Sequence, residues 1–194
     1  RLTTNGAIDT PWATSGTFTI DRIATYGADA SWAHTDYGTQ SMKFDGAGRL
    51  LVTGTVGRAA TGVDFTVARL LTSPASLDSS FAGDGTYTLP LANDQGINSI
   101  YEMGDGALLV GGNNNDGTDD SFFTARITAN GVTDTSYGTS GSGWATVQPS
   151  DAASNYEGQL LMHTDGTATM IGGTSGGDVR LARFGGTPIS DYSN

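Results

Sequence analysis

Two histidines are the only imidazoles available for acid–base work, His34 and His163. A nucleophile–base–acid triad needs an imidazole oriented by a carboxylate. Ser and Asp are so abundant here that some match always exists and none is singled out. Neither histidine stands in a metal-binding H-E-x-x-H spacing. The only glutamates, Glu102 and Glu157, are isolated, so no carboxylate pair of the glycosidase type is marked out. Asn113–Ser121, NNNDGTDDS, has the oxygen-rich composition that suits Ca²⁺. With Gly117 as the turn glycine, however, the first ligand position falls on Gly112, which has no side chain. A polar hairpin of turn formers is the reading these residues favour. GGTSGGD (172–178) lacks the G-K-[ST] ending of a phosphate loop and reads as a hairpin tip. No catalytic residue, metal site or cofactor is therefore expected.

One segment departs from this pattern. RIATYGADASWAHTDYG (22–38) concentrates Tyr26, Trp32, His34 and Tyr37 beside Asp29 and Asp36. Flat apolar faces next to hydrogen-bond acceptors suit a sugar or a protein surface. These six residues form the candidate ligand site, with Trp32 and Tyr37 as its anchors. The competing reading is that the two rings cap an end of a stack of sheets.

The elements that would position these residues repeat. Three strand-like runs end in Ala-Arg, at Arg69, Arg126 and Arg183, spaced by 57 and 57 residues. Asp9, Asp78, Asp134 and Asp191 follow such arginines, with Arg1 as the first of the series. An aromatic stands three residues after the first three of these Asp: Trp12, Phe81 and Tyr137. Glycine-started apolar runs, GRLLVTG, GALLVGG and GTATMIG, form a third anchor. The units run approximately 2–69, 70–126 and 127–183, with a partial unit at 184–194. The segment at 22–38 is an insertion in the first unit: Gly16 to Gly54 is 38 residues, against 27 from Gly85 to Gly112.

Each unit reads as four short strands. The expected strands are 16–20, 39–45, 49–56 and 64–71; then 85–91, 97–104, 107–113 and 121–127; then 143–149, 158–164, 167–173 and 178–184. Asp45-Gly46, Asp105-Gly106 and Asp165-Gly166 are expected at tight hairpin turns. A residue needed once per repeat is normally an internal staple. The aromatics are thus expected to wedge between neighbouring sheets, and each Arg to lock onto the following Asp: Arg126 onto Asp134 and Arg183 onto Asp191. The fold class is all-β, with tandem four-stranded antiparallel units resembling propeller blades. Three units are too few for an ordinary propeller, and both ends carry fragments of a unit. Further blades, assembly of several chains, or stacking without closure would each answer this. A homo-oligomer is expected, a trimer by analogy with bacterial fibre tips.

Composition narrows the partners. The net charge is −11, with 20 acids against 9 bases, which disfavours nucleic acid and anionic membranes. No apolar run reaches the length of a membrane-spanning helix. There is no Cys, so disulfides and thiolate chemistry are excluded. Lys occurs once and Gly 29 times, and Thr, Ser and Asn are plentiful, a balance typical of bacterial surface proteins.

The pattern LD-x-S-F-G, D-G-x-L-L-V-x-G, F-x-x-A-R resembles the bacterial delta-60 repeat. It is clearest in SLDSSFAGDG, GDGALLVGG and FFTAR of the second unit. The third unit departs at TDGTATMIGG and the first by its insertion. The resemblance implies a propeller-like fold in a large secreted or surface-attached protein, and it implies no ligand residues. Together these readings point to a secreted or cell-surface recognition module binding glycan or protein. A structural spacer array is the alternative, and a hydrolase is a third, weaker reading.

Overall fold

The computed structural model describes residues 1–20, 41–58, 60–148, 155–174 and 177–185, with backbone only for 155–158. Among these residues the protein is all-β. Its twelve strands are β1 (Met42–Phe44), β2 (Leu50–Arg58), β3 (Gly62–Thr72), β4 (Ala75–Leu77), β5 (Thr86–Thr88), β6 (Asp94–Glu102), β7 (Leu108–Asn115), β8 (Asp120–Ile127), β9 (Trp144–Val147), β10 (Asn155–Met162), β11 (Ala168–Thr174) and β12 (Val179–Phe184). Among the described residues the one helical element is a 3-10 turn at Thr139–Gly141. The strands form three antiparallel sheets. The first has order β1-β2-β3-β4 with β5 also on β3, the second is β6-β7-β8-β9, and the third is β10-β11-β12. No closed barrel or ring of blades forms among them.

The sheets stack in chain order. β6 packs on β2 and β3, and β10 packs on β6, β7 and β8. Side chains alternate across a strand, so a middle sheet must be apolar on both faces. This accounts for the unbroken LLV and FF runs. Leu108, Val110, Phe123, Ala125 and Ile127 face the first sheet and join Leu51, Phe65 and Val67 in one core. Their neighbours Leu109 and Phe122 face the third sheet and join Leu160, Met170, Ala182 and Phe184 in another.

Three expectations are corrected. The run 16–20 forms no strand; it has only an isolated bridge between Thr14 and Thr17. Its counterparts β5 and β9 pair with β3 and β8, the strands that precede them in the chain. The first two sheets are therefore offset from the sequence period, and each takes a strand from beyond the lock. The first Asp-Gly also sits elsewhere than expected. The equivalent turn glycines are Gly48, Gly106 and Gly166, at φ +75°, +77° and +83°. Gly46 is not in that conformation, because the turn there begins at Asp45, where its counterparts begin at Met103 and His163. Finally, β4 (Ala75–Leu77) went unread; it is a short partner for the end of β3.

Candidate functional site

The segment 22–38 lies outside the described residues, and with it Tyr26, Asp29, Trp32, His34, Asp36 and Tyr37. The chemistry that can be placed atom by atom is the repeated Arg–Asp–aromatic cluster, which is built the same way three times.

In the first cluster the Arg1 amino terminus donates to Gly16 O at 2.9 Å. Asp9 N donates to Arg1 O, Trp12 N to Asp9 O and Gly16 N to Trp12 O. Arg69, Asp78, Phe81 and Gly85 repeat this ring, and so do Arg126, Asp134, Tyr137 and Gly143. The closing glycine is required for steric reasons. Gly85 has φ +92°, and a Cβ there would stand 2.7 Å from Leu77 Cβ. Because the ring binds both backbone groups of the Arg, the chain leaving Gly85 or Gly143 must run back along β3 or β8. This is why β5 and β9 join the preceding sheet.

The side chains then tie the ring to the next sheet. Arg69 Nε donates to Asp78 Oδ2 at 2.8 Å, one terminal nitrogen to Ser80 Oγ at 3.0 Å, and the other to Ala129 O, in the turn that follows β8 of the second sheet, at 2.8 Å. Its guanidinium lies 4.7 Å from the Phe81 ring centroid. Arg126 meets Asp134 at 2.8 Å, as the spacing predicts. The expected Arg183–Asp191 pair lies outside the described residues; Arg183 donates to Asp165 at 2.6 Å. Arg126 likewise reaches Asp105. These turn carboxylates were missed as partners. A signal was present in two of the three units: Asp105 and Asp165 each stand one residue before the equivalent turn glycine, where the first unit has Ala47.

The wedges stand where they were expected. Phe81 is buried in the core between the first and second sheets, and Tyr137 in that between the second and third. Tyr137 Oη shares a hydrogen bond with Thr124 Oγ1 at 2.7 Å. Trp12 is half-buried and its Nε1 donates to Thr72 O at 3.0 Å.

Burial pushes the Asp78 and Asp134 carboxyls up. Donation from the hydroxyl and backbone of Ser80 or Ser136, and the adjacent guanidinium, outweigh it, and both end below the ordinary carboxylate range. A depressed folded pKa gives stability that is complete above the unfolded value, near 3.9, and lost as pH falls through the folded value. Asp64 works the other way. Burial raises it against the hydrogen bond from Thr61 and the charge of Arg58, so protonation relieves it. Melting temperature is thus expected to fall as acid protonates the two lock carboxylates below about pH 4. The drop should be shallower in Asp78→Asn; equal slopes in the two proteins would rule out the lock as its source.

Other candidate motifs are consumed internally. In the β7–β8 hairpin, Asn113 and Asn115 donate to Asp120 Oδ1 at 3.1 and 3.0 Å, and Asp116 accepts from Thr118 N and Asp119 N. Gln95 Oε1, Asn113 Oδ1 and Asn114 Oδ1 are buried without a hydrogen-bond partner. Adjacent residues of a strand point to opposite faces, so Asn113 and Asn114 do not converge on one cage. Among the described residues no three His, Cys, Asp or Glu side chains are grouped to hold a metal ion. His163 opens the β10–β11 turn and shares a hydrogen bond with Thr169 Oγ1 at 2.7 Å. Glu102 accepts from Gly46 N, joining the first two sheets. Thr174 and Asp178 close the β11–β12 turn through Thr174 N to Asp178 O. No protein-family model and no curated protein matches the chain.

Proposed function

We propose that this protein is a non-catalytic recognition module of a secreted or bacterial cell-surface protein, built from propeller-like blades of the delta-60 type. It displays the segment 22–38 to a glycan or to a protein on another surface. The observation that carries this reading is the threefold recurrence of one Arg–Asp–aromatic ring. Its most reactive groups are engaged in turn closure and sheet docking, as a structural staple requires. The chemistry left over is the segment that occurs once, and loops are where scaffolds carry function. Tyr26, Asp29, Trp32, His34, Asp36 and Tyr37 form the binding surface, with rings for sugar C–H faces and carboxylates for hydroxyls.

A glycan array probed with the intact protein tests this, with Trp32→Ala as the key variant. Affinity is expected to fall by about 1–3 kcal/mol, the range of an interface anchor, while the melting temperature holds. Lost stability with unchanged affinity would make Trp32 a core residue and remove the site. The spacer reading is supported by the docking groups spent between sheets, and silence across the array would favour it. Turnover of a bound sugar would favour a hydrolase.

A further inference from the structure

Among the described residues the stacking register leaves two half-interfaces open. In the first two sheets, the face that turns toward the following sheet carries Phe65 and Val67, and Phe122 and Thr124. All four are at most 1% exposed. Counting from Arg69, Arg126 and Arg183, the same positions in the third sheet are Val179 and Leu181, which are 67% and 68% exposed. Leu161 and Ile171 lie on this face too, at 60% and 44%, and Ile171 pairs directly with Leu181. Four large apolar side chains thus form one exposed sheet face, at positions that are interior elsewhere in the same chain. Contiguous patches of this kind mark association surfaces.

The complementary half lies at the other end of the stack. The face by which a sheet receives its predecessor carries Ile100 and Val110 in the second sheet and Leu160 and Met170 in the third, all at most 4% exposed. The cross-strand pair Ile100–Val110 corresponds to Leu160–Met170 and to Met42–Val52. Met42 is 74% exposed, and Phe44, beside Leu50 on the same face, is 61% exposed.

We propose that the outer face of the third sheet binds the first sheet of a second copy of this chain, head to tail. The contact continues the packing already made twice inside each chain, with Met42 and Phe44 set against Ile171, Leu181 and Val179. Two further features fit the same occupant. First, β12 pairs with β11, and among the described residues no strand lies on its other side, whereas β3 has β5 and β8 has β9 there. Thr17–Ile20 follows its lock as β5 and β9 follow theirs, so the incoming copy brings an unpaired run in the chain position of β5 and β9. Such an edge is a template for strand addition. Second, Trp12 already sits on the first sheet as the preceding lock should. It donates to Thr72 O as Arg69 donates to Ala129 O, one unit apart. The proposal rests on sheet register and not on the recognition reading, so the two can fail separately.

Sedimentation equilibrium over a wide concentration range, with melting curves as the folding control, tests it. The wild-type chain should self-associate. Leu181→Asp and Met42→Asp each remove an exposed side chain, so each should melt like the wild type. Each alone should weaken association more than about tenfold, the effect of losing an anchor worth 1.4 kcal/mol or more. A contact between two different faces makes a sharper demand. Mixing the two variants should restore one junction only and stop at a heterodimer, because each supplies the half the other lacks. A wild type that stays monomeric, association indifferent to both substitutions, or a mixture no stronger than either variant alone would each overturn the proposal. Should one variant unfold, Val179→Glu replaces it at the third sheet and Phe44→Glu at the first.

Discussion

Arg69→Ala should cost the fold about 3–5 kcal/mol, the loss expected when one partner of a buried ion pair is removed and the other is left behind. Arg69 is 4% exposed and Asp78 6%. The guanidinium makes three hydrogen bonds at once, to Asp78, Ser80 and Ala129, and stacks on Phe81. Truncation therefore strands a buried carboxylate, loosens the ring that aims β5, and removes a tie between two sheets. Lysine should not rescue it, since a single ammonium cannot reproduce the fork. Arg183→Ala supplies the internal control. That pair with Asp165 is more than half exposed on both sides, and surface pairs contribute about 0–1 kcal/mol. Urea midpoints of the two variants decide the matter. Equal shifts would mean that the lock is ornamental, whereas a double variant Arg69→Met with Asp78→Leu that is more stable than Arg69→Ala would confirm the stranded charge as the main loss.

Phe123→Ala is expected to be comparably damaging, at about 3–5 kcal/mol for a fully buried aromatic cut to a methyl. Its ring is fully buried, 5.8 Å from the Phe65 centroid across the sheet interface and 6.1 Å from Trp144 on the neighbouring strand. It links the first sheet to the second and also holds β9 in place. The loss should therefore appear in a single cooperative unfolding step, with both sheets released together. Phe123→Leu should recover most of it by filling the space. A two-step transition in Phe123→Ala, with one sheet melting early, would show that the sheets are independently stable and that the shared core does not couple them.

The sequence and the structure divide along a physical line. Strand positions for β2, β3, β6, β7, β8, β11 and β12 were legible because alternation, chain reversal and turn chemistry are local. The Arg126–Asp134 pair was legible for the same reason: eight residues of a closed ring cannot place it elsewhere. The wedge role of Phe81 and Tyr137 followed from recurrence, since a residue used once per unit serves what every unit shares. Other features were not legible. The sequence period groups β5 and β9 with the strands that follow, yet hydrogen bonding assigns them to β3 and β8, because Gly85 and Gly143 are clamped against the arginine that ends those strands. The partnership of Arg126 with Asp105 and of Arg183 with Asp165 needs the hairpin folded back, so no short spacing announces it. Exposure was the least legible of all. Val179 and Leu181 occupy the positions of Phe122 and Thr124 and are just as apolar a pair. Whether such a face is core or surface depends on a neighbouring sheet, and only the tertiary structure shows that the second sheet has one there while, among the described residues, the third has none.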